Sequence, residues 1–333
     1  MLIPLSQALA QIALQPPVQP RRVALEAALG LVIASPIAAP APLPERARAR
    51  RPGFAVASRD LVGAAPESPA PLAHRPAFVA AGELLPGAAD AVLDPDWAYD
   101  DAAFEAIAAP PPGAGARLAG QDAPAGHALA RPGDCVTPAR LMALASAGVR
   151  EIEAAAPAFR MAGPIGPSQL FLVATLRGLG CRPAAPGEAP DLDLRFDATL
   201  TPRLALEPGA SLELAFAGPR ARLALAPTPE AAAGALALLL PLVARWTRRV
   251  VVPETRLLTR KLVSTVGLSD LALLAREAGG WRPLAVGDAP LAAILAADAL
   301  ALLDPSCEGM PAGAPLSATP LAGPLAADAK SAI

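Results

Sequence analysis

Proline constrains this chain more than any other residue type. The 333 residues include 41 prolines, which are scattered along the whole length rather than gathered in one tract. Because proline fixes φ and removes a backbone donor, it interrupts helices and central strands. The sequence therefore predicts many short elements joined by rigid connections, and it argues against a long helical bundle.

Length and charge narrow the class of protein further. A chain of 333 residues can form two to four domains, each with its own core. Only 3 % of residues are aromatic, so these cores must be built from Leu, Val and Ala. The net charge of −2 and the lack of a basic stripe interleaved with aromatic residues argue against nucleic-acid binding. With His74 and His127 as the only histidines, an imidazole-based metal site has few ligands to draw on.

The cysteines and the apolar runs indicate a cytoplasmic protein. Cys135, Cys181 and Cys307 are odd in number and form no CxxC pair, so we predict buried thiols in a reducing compartment. The N-terminal residues lack the basic start and apolar centre of a secretory signal. The runs from Ala231 to Ala244 and from Ala289 to Leu303 are shorter than the roughly 20 residues that span a bilayer. Both are predicted to be buried helices, and no membrane partner is expected.

Local patterns predict the secondary structure. Apolar residues at helical spacing and terminal capping residues predict helices at 4–12, 22–34, 137–148, 168–179 and 229–245. Alternating apolar and polar residues, bounded by Gly, Pro or Asp, predict short strands at 54–57, 77–79, 90–93, 192–196, 212–216, 223–225, 260–266, 271–276 and 300–303.

Several segments, read in order, carry a family resemblance. They are "PLSQALAQIA" at the start, "RRVALEAALGLVIASPIAAPAPLP" at 21–44, "VAAGELLPGAADAVL" at 79–93, "GQDAPAGHALARPGDCVTPARLMALASAGVREI" at 120–152, and the stretch from "TRKLVSTVGLSDL" to "EGMPAGAPL" near the C-terminus. Each motif is weak alone, but their shared order and spacing resemble the MoeA/gephyrin family of molybdopterin molybdenumtransferases over most of the chain.

The resemblance implies an α+β multidomain fold of elongated shape. Its expected parts are an N-terminal helical domain, an inserted β domain, a shortened molybdopterin-binding-like α/β domain and a small C-terminal β domain, at 1–45 plus 122–155, 46–121, 156–247 and 248–333. It also implies a homodimer, with the apolar helix stripes before residue 155 as the expected contact surface.

The resemblance implies a reaction too. The family converts adenylylated molybdopterin and molybdate into molybdenum cofactor and releases AMP, using oxygen ligands for a divalent cation and donors for phosphate and oxyanion. This chain departs from the family's motifs. Pro52 and Phe54 stand at the aspartate and tyrosine of "SAMDGYA", Ala81 stands at the threonine of "TGA", and "TGDEL" and "GGVSxGxxD" have no counterparts. The resemblance therefore predicts reduced or lost catalysis, and it leaves a requirement for Mg²⁺ open.

Five residues remain as candidates for the site. Asp122, in "GQD", is the one family acid still in register and is the candidate catalytic residue, although a turn aspartate is an equally good interpretation. Gly166, Ser168 and Gln169 lie in "IGPSQLFLVATLRGLGC", which resembles the family's "GxIxDSNxxxLxxxLxxxG", and they could cap a helix over an anion. Thr228 lies in "LAPTPEAAAG", at the place of "GLPGNPxSA". These four are the candidate ligands of molybdopterin or its adenylylated form, and no metal ligand is assigned.

Two hypotheses about function follow. The chain takes part in molybdenum-cofactor biosynthesis as a transferase, or it is a non-catalytic relative that binds molybdopterin or a maturation partner and assists one molybdoenzyme client. Each missing carboxylate weakens the first hypothesis more than the second, because groups that act together in one site lose orders of magnitude in rate when removed.

Overall fold

Short elements dominate the structure, as the scattered prolines predict. The computed structural model describes residues 2–100, 103–163 and 165–321. The helices among them are α1 (Leu5–Ala13), α2 (Pro138–Ser146), α3 (Pro167–Gly178), α4 (Pro229–Thr247) and α5 (Leu291–Ala296). The strands among them are β1 (Ile3–Pro4), β2 (Arg21–Ala24), β3 (Val32–Ile33), β4 (Ile37–Ala38), β5 (Arg48–Ala49), β6 (Gly53–Val56), β7 (Ala70–Leu72), β8 (Phe78–Val79), β9 (Ala91–Leu93), β10 (Ala98–Asp100), β11 (Phe104–Ala106), β12 (Ala116–Arg117), β13 (Ala128–Ala130), β14 (Glu151–Ala155), β15 (Ala158–Met161), β16 (Arg182–Pro183), β17 (Leu192–Phe196), β18 (Leu204–Glu207), β19 (Leu212–Ala217), β20 (Arg220–Leu225), β21 (Glu254–Leu258), β22 (Leu262–Val263), β23 (Ser269–Glu277), β24 (Gly280–Val286), β25 (Ala299–Leu303), β26 (Gly309–Met310) and β27 (Pro315–Pro320).

The chain divides into two compact units. The first unit comprises Met1–Ser35, Arg131–Leu141 and Arg150–Ile333, and the second comprises Pro36–Ala130 and Met142–Val149. The four-domain division expected from the sequence is finer, and its boundaries stay predictions. Its last range includes residues 322–333, which lie outside the described residues.

A five-stranded sheet forms the α/β part of the first unit. The strand order is β16-β15-β17-β20-β19, in which the first four strands are parallel and β19 runs antiparallel to β20. The apolar residues of β17 and β20 lie on one face and pack in the same core as α1, α3 and α4. This periodicity of two is what the sequence predicts for strands with one buried face, and the predicted strands at 192–196, 212–216 and 223–225 are confirmed.

Helix α4 is the most buried helix of this core. By length and composition it is the one described helix that could cross a membrane, yet 72 % of its apolar window is buried inside the protein. The prediction that Ala231 to Ala244 is a buried helix is therefore confirmed. Its N-terminus begins at Pro229, where proline is favoured because the first helical N–H has no partner inside the helix.

A β barrel follows α4 in the first unit. Strands β23, β24, β21, β27 and β25 pair in that order, and β25 also pairs with β23, so the ring is closed. Closure leaves these strands without free edges, apart from the ends that extend beyond their partners. The barrel has its own hydrophobic core, which contains the fully buried Trp281 together with Leu258, Leu274 and Leu303.

The start of the chain joins these two parts. Strand β1 pairs in parallel with β18, with Ile3 opposite Leu204, and β18 pairs in turn with β23 of the barrel. Helix α1 then packs on α4 through Leu5, Ala8 and Ile12. The predicted helix at 4–12 is confirmed, and these contacts show why its apolar stripe is buried.

Two predicted helices are wrong, for the same physical reason. Residues 22–34 form strands β2 and β3, which pair with the two ends of β14, and a 3-10 turn, Leu25–Ala27, separates them. The run from Ala289 to Leu303 contains only the short α5, and its remainder is barrel strand β25. In both segments the pairing with a distant strand overrides the local helical spacing.

The second unit consists of small antiparallel sheets. Strand β6 lies between β8 and β9, and β11 lies between β10 and β7. The core is formed by Phe54, Phe104 and aliphatic neighbours, with the two rings edge to face at 4.7 Å. Gly53 has φ +156°, and a Cβ there would stand 2.4 Å from the Leu93 carbonyl oxygen. The predicted strands at 54–57, 77–79 and 90–93 are confirmed to within two residues at their ends.

Candidate functional site

The carboxyl edge of the parallel sheet brings three loops together. From β15 the chain passes through α3 to β16 on one side, whereas β17 lies on the other side of β15. Open α/β sheets bind ligands at such a switch point, outside the carboxyl ends of the strands. The ladder continues beyond the strand ends, since Ala162 N donates to Leu194 O at 3.2 Å and Asp197 N donates to Leu225 O at 3.0 Å. The loops after β15, β17 and β20 therefore lie side by side.

Helix α3 begins at this edge, and the backbone N–H groups of its first turn have no partner inside the helix. Gly166 is extended and precedes Pro167, and the Gln169 side chain accepts a hydrogen bond from Gly166 N at 3.2 Å. Ser168 and Gln169 are both buried. The first turn contains no acidic side chain, so the positive end of the helix dipole is not neutralised there. The backbone N–H groups of Ser168 and Gln169 can therefore receive an anion.

Helix α4 begins at the same edge but is already capped. Thr228 Oγ1 accepts a hydrogen bond from Ala231 N at 3.2 Å, and Glu230 places a carboxylate in the first turn. Both interactions stabilise the helix start. Thr228 is thus an N-cap whose side-chain oxygen already accepts a hydrogen bond from the helix. The Glu230 carboxylate would repel an anionic ligand at this helix start. Of the two helix starts, that of α3 is the better anion site.

The loop after β17 carries a pair that the sequence reasoning missed. Asp197 Oδ1 accepts hydrogen bonds from Thr199 Oγ1 at 2.6 Å and from Thr199 N at 2.8 Å. These two bonds hold the pKa of Asp197 below its usual value, the hydroxyl having the larger effect. Asp197 directly follows a strand with one buried face, and this position could have indicated the carboxyl edge of the sheet.

Asp122 belongs to the second unit, whereas the four candidate ligand residues belong to the first. Its Oδ1 is 3.2 Å from Arg117 Nε, and its side chain is about half exposed. The turn that precedes it is closed by Gln121, whose Oε1 accepts from Leu118 N at 2.9 Å. Asp122 is therefore a surface acid paired with an arginine, and its catalytic role stays a prediction.

The positions that depart from the family motifs have structural roles in this unit. Phe54 stands where the resemblance expects tyrosine, and it is a core residue in contact with Phe78 and Phe104. Ala81 lies in a turn closed by Glu83, whose Oε2 accepts from Ala80 N at 2.8 Å. Apolar packing and turn formation have taken the place of hydroxyl and carboxylate groups here.

The described thiols and acids do not form a metal site. Among residues 2–100, 103–163 and 165–321, no three His, Cys, Asp or Glu side chains come together in a cluster that could hold a metal ion. The residues that the structure describes therefore do not supply a carboxylate set for Mg²⁺. Cys135 and Cys181 are buried, as predicted, whereas Cys307 is only partly buried, so the prediction of a buried thiol is wrong there. Burial raises the pKa of the Cys181 thiol far above its usual range.

Comparisons with known proteins extend these observations. A family model described as the MoeA N-terminal region (domain I and II) matches residues 3–148. No curated protein matches the chain in a sequence search. The fold is similar to two structures of the molybdopterin biosynthesis MoeA protein from Pyrococcus horikoshii, with TM-scores of 0.65 and 0.64 and identities of 20 % and 18 %. These alignments cover 97 % and 96 % of this chain and all of the other chains.

A third structure gives the same result. It is a molybdenum cofactor biosynthesis protein from Pyrococcus furiosus, with a TM-score of 0.61 and 15 % identity over 96 % of this chain and 100 % of that one. At these identities the likeness shows the fold, and the match to the family model adds the sequence signature of the N-terminal region. Together they confirm the resemblance to MoeA proteins and the α+β fold class: residues 3–148 match the MoeA N-terminal region, and the fold is shared over nearly the whole chain.

Proposed function

We propose that this protein acts in molybdenum-cofactor biosynthesis and binds molybdopterin or its adenylylated form. The match of residues 3–148 to the MoeA N-terminal region, within a MoeA fold that extends over nearly the whole chain, is the observation that supports this proposal. The ligand's phosphate would lie at the start of α3, where the N–H groups of Ser168 and Gln169 and the helix dipole favour an anion.

We further propose that catalysis is reduced or lost. The family's aspartate and tyrosine are replaced by Pro52 and Phe54, and Phe54 is fixed in an aromatic core. Asp122, the remaining family acid, has a half-exposed side chain that forms an ion pair with Arg117. The second candidate function is a non-catalytic one, in which the chain binds molybdopterin or a maturation partner and serves a molybdoenzyme client.

The same resemblance supports two further proposals. The protein forms a homodimer, and it acts in the cytoplasm. The free thiols Cys135, Cys181 and Cys307 suit a reducing compartment. Sedimentation velocity of the purified chain measures the oligomeric state directly.

Ligand binding is tested by a single charge at the start of α3. Gln169→Glu keeps an oxygen that can accept from Gly166 N and also complements the helix dipole, so the fold is retained. A carboxylate within a few ångströms of a bound phosphate costs on the order of 1–2 kcal/mol, so we expect about tenfold weaker binding of molybdopterin or its AMP conjugate in isothermal titration calorimetry.

The matched control is Gln121→Glu in the second unit. Gln121 also accepts a backbone hydrogen bond through its side-chain oxygen, from Leu118 N, so the substitution is chemically the same. We expect binding within about twofold of the parent protein, because this substitution leaves the charge of the first turn of α3 unchanged. Equal weakening by both variants would place the phosphate elsewhere, and no heat with the parent protein would refute molybdopterin binding.

Catalysis is tested in a bacterial strain that lacks molybdenumtransferase. We expect expression of this chain to leave a reporter molybdoenzyme at or below roughly a hundredth of its normal activity, since several groups that act together are missing. Restored activity that is lost with Asp122→Ala but kept with Asp60→Ala, an exposed acid of the same unit paired with Arg59, would overturn the proposal of lost catalysis.

A further inference from the structure

The five-stranded sheet has one covered face and one open face. Helices α1, α3 and α4 cover the face that carries Leu192, Leu194, Leu223 and Leu225. The strand registers place the intervening residues on the opposite face, which we call the arginine face. Its charged residues are Arg160, Arg182, Asp193, Arg195, Glu213, Arg220 and Arg222.

The open face follows from an unusually short connection. Residues 184–191 join the parallel strands β16 and β17 and pass across β15 without forming a helix. Such connections usually need a dozen or more residues and an α-helix, which in a right-handed crossover would lie on this side of the sheet. Parallel sheets occur almost only with both faces covered. No helix among the described residues covers the arginine face. We therefore expect another molecule to cover it.

The charge of the arginine face is positive although the chain is not. Its strands carry five arginines and two acidic residues, whereas the whole chain has a net charge of −2. Asp193 lies between Arg195 and Arg222, at 3.1 and 3.6 Å, and the arginine side chains remain more than half exposed. One carboxylate thus faces two guanidinium groups that retain donors for other acceptors.

At the edge of the arginine face near residues 184–191, a second acidic side chain also lies between two arginines. Arg21 and Arg182 both bond to Glu188, at 3.1 and 2.7 Å, and Arg160 donates to the Glu188 carbonyl oxygen. Beside them lies a shallow depression of about 670 Å³, lined by Arg160 and residues 184–189. The hydrogen bonds that Glu188 accepts from Arg182 and from Ala185 N hold the pKa of Glu188 below its usual value, and the bond from Arg182 has the larger effect.

We propose that the arginine face binds an acidic surface of a partner protein. Five adjacent strands extend over roughly 19 Å at about 4.8 Å per strand, which suits a protein surface better than a small anion. Arginine is enriched in protein interfaces, because its planar group forms paired hydrogen bonds with carboxylates. This interaction does not depend on molybdopterin binding, since its residues lie on strand faces and not at the start of α3.

The test uses a defined acidic probe and two double variants. Binding of a fluorescein-labelled oligoglutamate peptide is followed by fluorescence anisotropy at low ionic strength, where surface charge acts over longer distances. The face variant is Arg195→Glu with Arg222→Glu. The control is Arg59→Glu with Arg131→Glu, which changes the charge equally at exposed residues off this face. We expect the face variant to bind at least about tenfold more weakly and the control to stay within about twofold.

The location is checked by hydrogen exchange with and without the peptide, and protection is expected in β17 and β20. Arg195→Gln with Arg222→Gln serves as a milder variant if the charge reversal perturbs folding, and it should also weaken binding.

Equal loss of peptide binding in the face and control variants, or protection elsewhere, would overturn the proposal. Inorganic polyphosphate that binds more tightly than the peptide with the same protection would overturn the assignment to a protein. Molybdopterin calorimetry on the face variant should be unchanged, which separates this outcome from that of the proposed function.

Discussion

Replacing Gly234 by alanine should destabilise the first unit by about 1–2 kcal/mol. Gly234 lies inside α4, and a Cβ there would stand 2.0 Å from the Pro208 carbonyl oxygen and 2.9 Å from Gly209 Cα. Both obstacles are backbone atoms, so α4 or the loop before β19 must move. Overpacking of this kind costs typically about 1–3 kcal/mol, more than the roughly 1 kcal/mol that alanine gains over glycine in a helix.

Urea unfolding followed by tryptophan fluorescence measures this effect, since Trp246 and Trp281 are buried in the same unit. The control is Gly178→Ala in α3, where no atom lies within 4 Å of the new methyl group. That variant should be as stable as the parent or up to about 1 kcal/mol more stable. A Gly234→Ala protein with an unchanged urea midpoint would show that α4 and the Pro208 loop do not pack as described.

Trp281→Ala should cost about 3–5 kcal/mol, because it empties the centre of the barrel. Trp281 is fully buried, and its Nε1 donates to the Glu254 carbonyl oxygen at 3.2 Å. The guanidinium groups of Arg256 and Arg276 lie 5.4 and 5.7 Å from the ring centroid, so the ring also contributes cation–π contacts. Thermal unfolding monitored by circular dichroism should show a barrel transition at much lower temperature.

Trp281→Phe is the graded control. It keeps most of the buried ring and removes the hydrogen bond, so we expect a loss of about 1–2 kcal/mol. The opposite order, with phenylalanine tolerated less well than alanine, would argue against a packed barrel interior around this position. Together the two variants separate the contribution of volume from that of the indole N–H.

Local signals explain which elements could be predicted from the sequence. The start of α3 is marked by Gly166 and Pro167 and its end by Gly180, whose φ is +86°. The start of α4 is marked by the capping Thr228. In both helices the terminal residues and the apolar spacing predict the same boundaries. A local prediction on which these two signals agree is reliable.

Elements whose form depends on a distant partner could not be predicted. Residues 22–34 have helical spacing, but the ladder to β14 decides their structure. Strand β18 has a short and ambiguous pattern, and its pairing with β1 and β23 makes it a strand. Nothing in the local sequence indicates which strand lies next to which.

The candidate site was predictable only in part. The order of the family motifs identified the start of α3 and the cap of α4, which the structure places at one sheet edge. Asp197 and the arginine face were missed, because alternating charges on a strand look like an ordinary solvated face. Recognising the face needs the strand order and the length of the β16 to β17 connection, which only the fold supplies.

The pairing of β1 with β18 has a consequence for synthesis. Ile3 meets Leu204 only after some 200 further residues have been added, which takes roughly ten seconds or more at about 5–20 residues per second. The second unit consists mostly of the continuous stretch Pro36–Ala130 and can fold earlier on the ribosome. Until those residues are made, the apolar stripe of α1 stays exposed to solvent. This segment of a newly made chain is therefore accessible to chaperones and proteases.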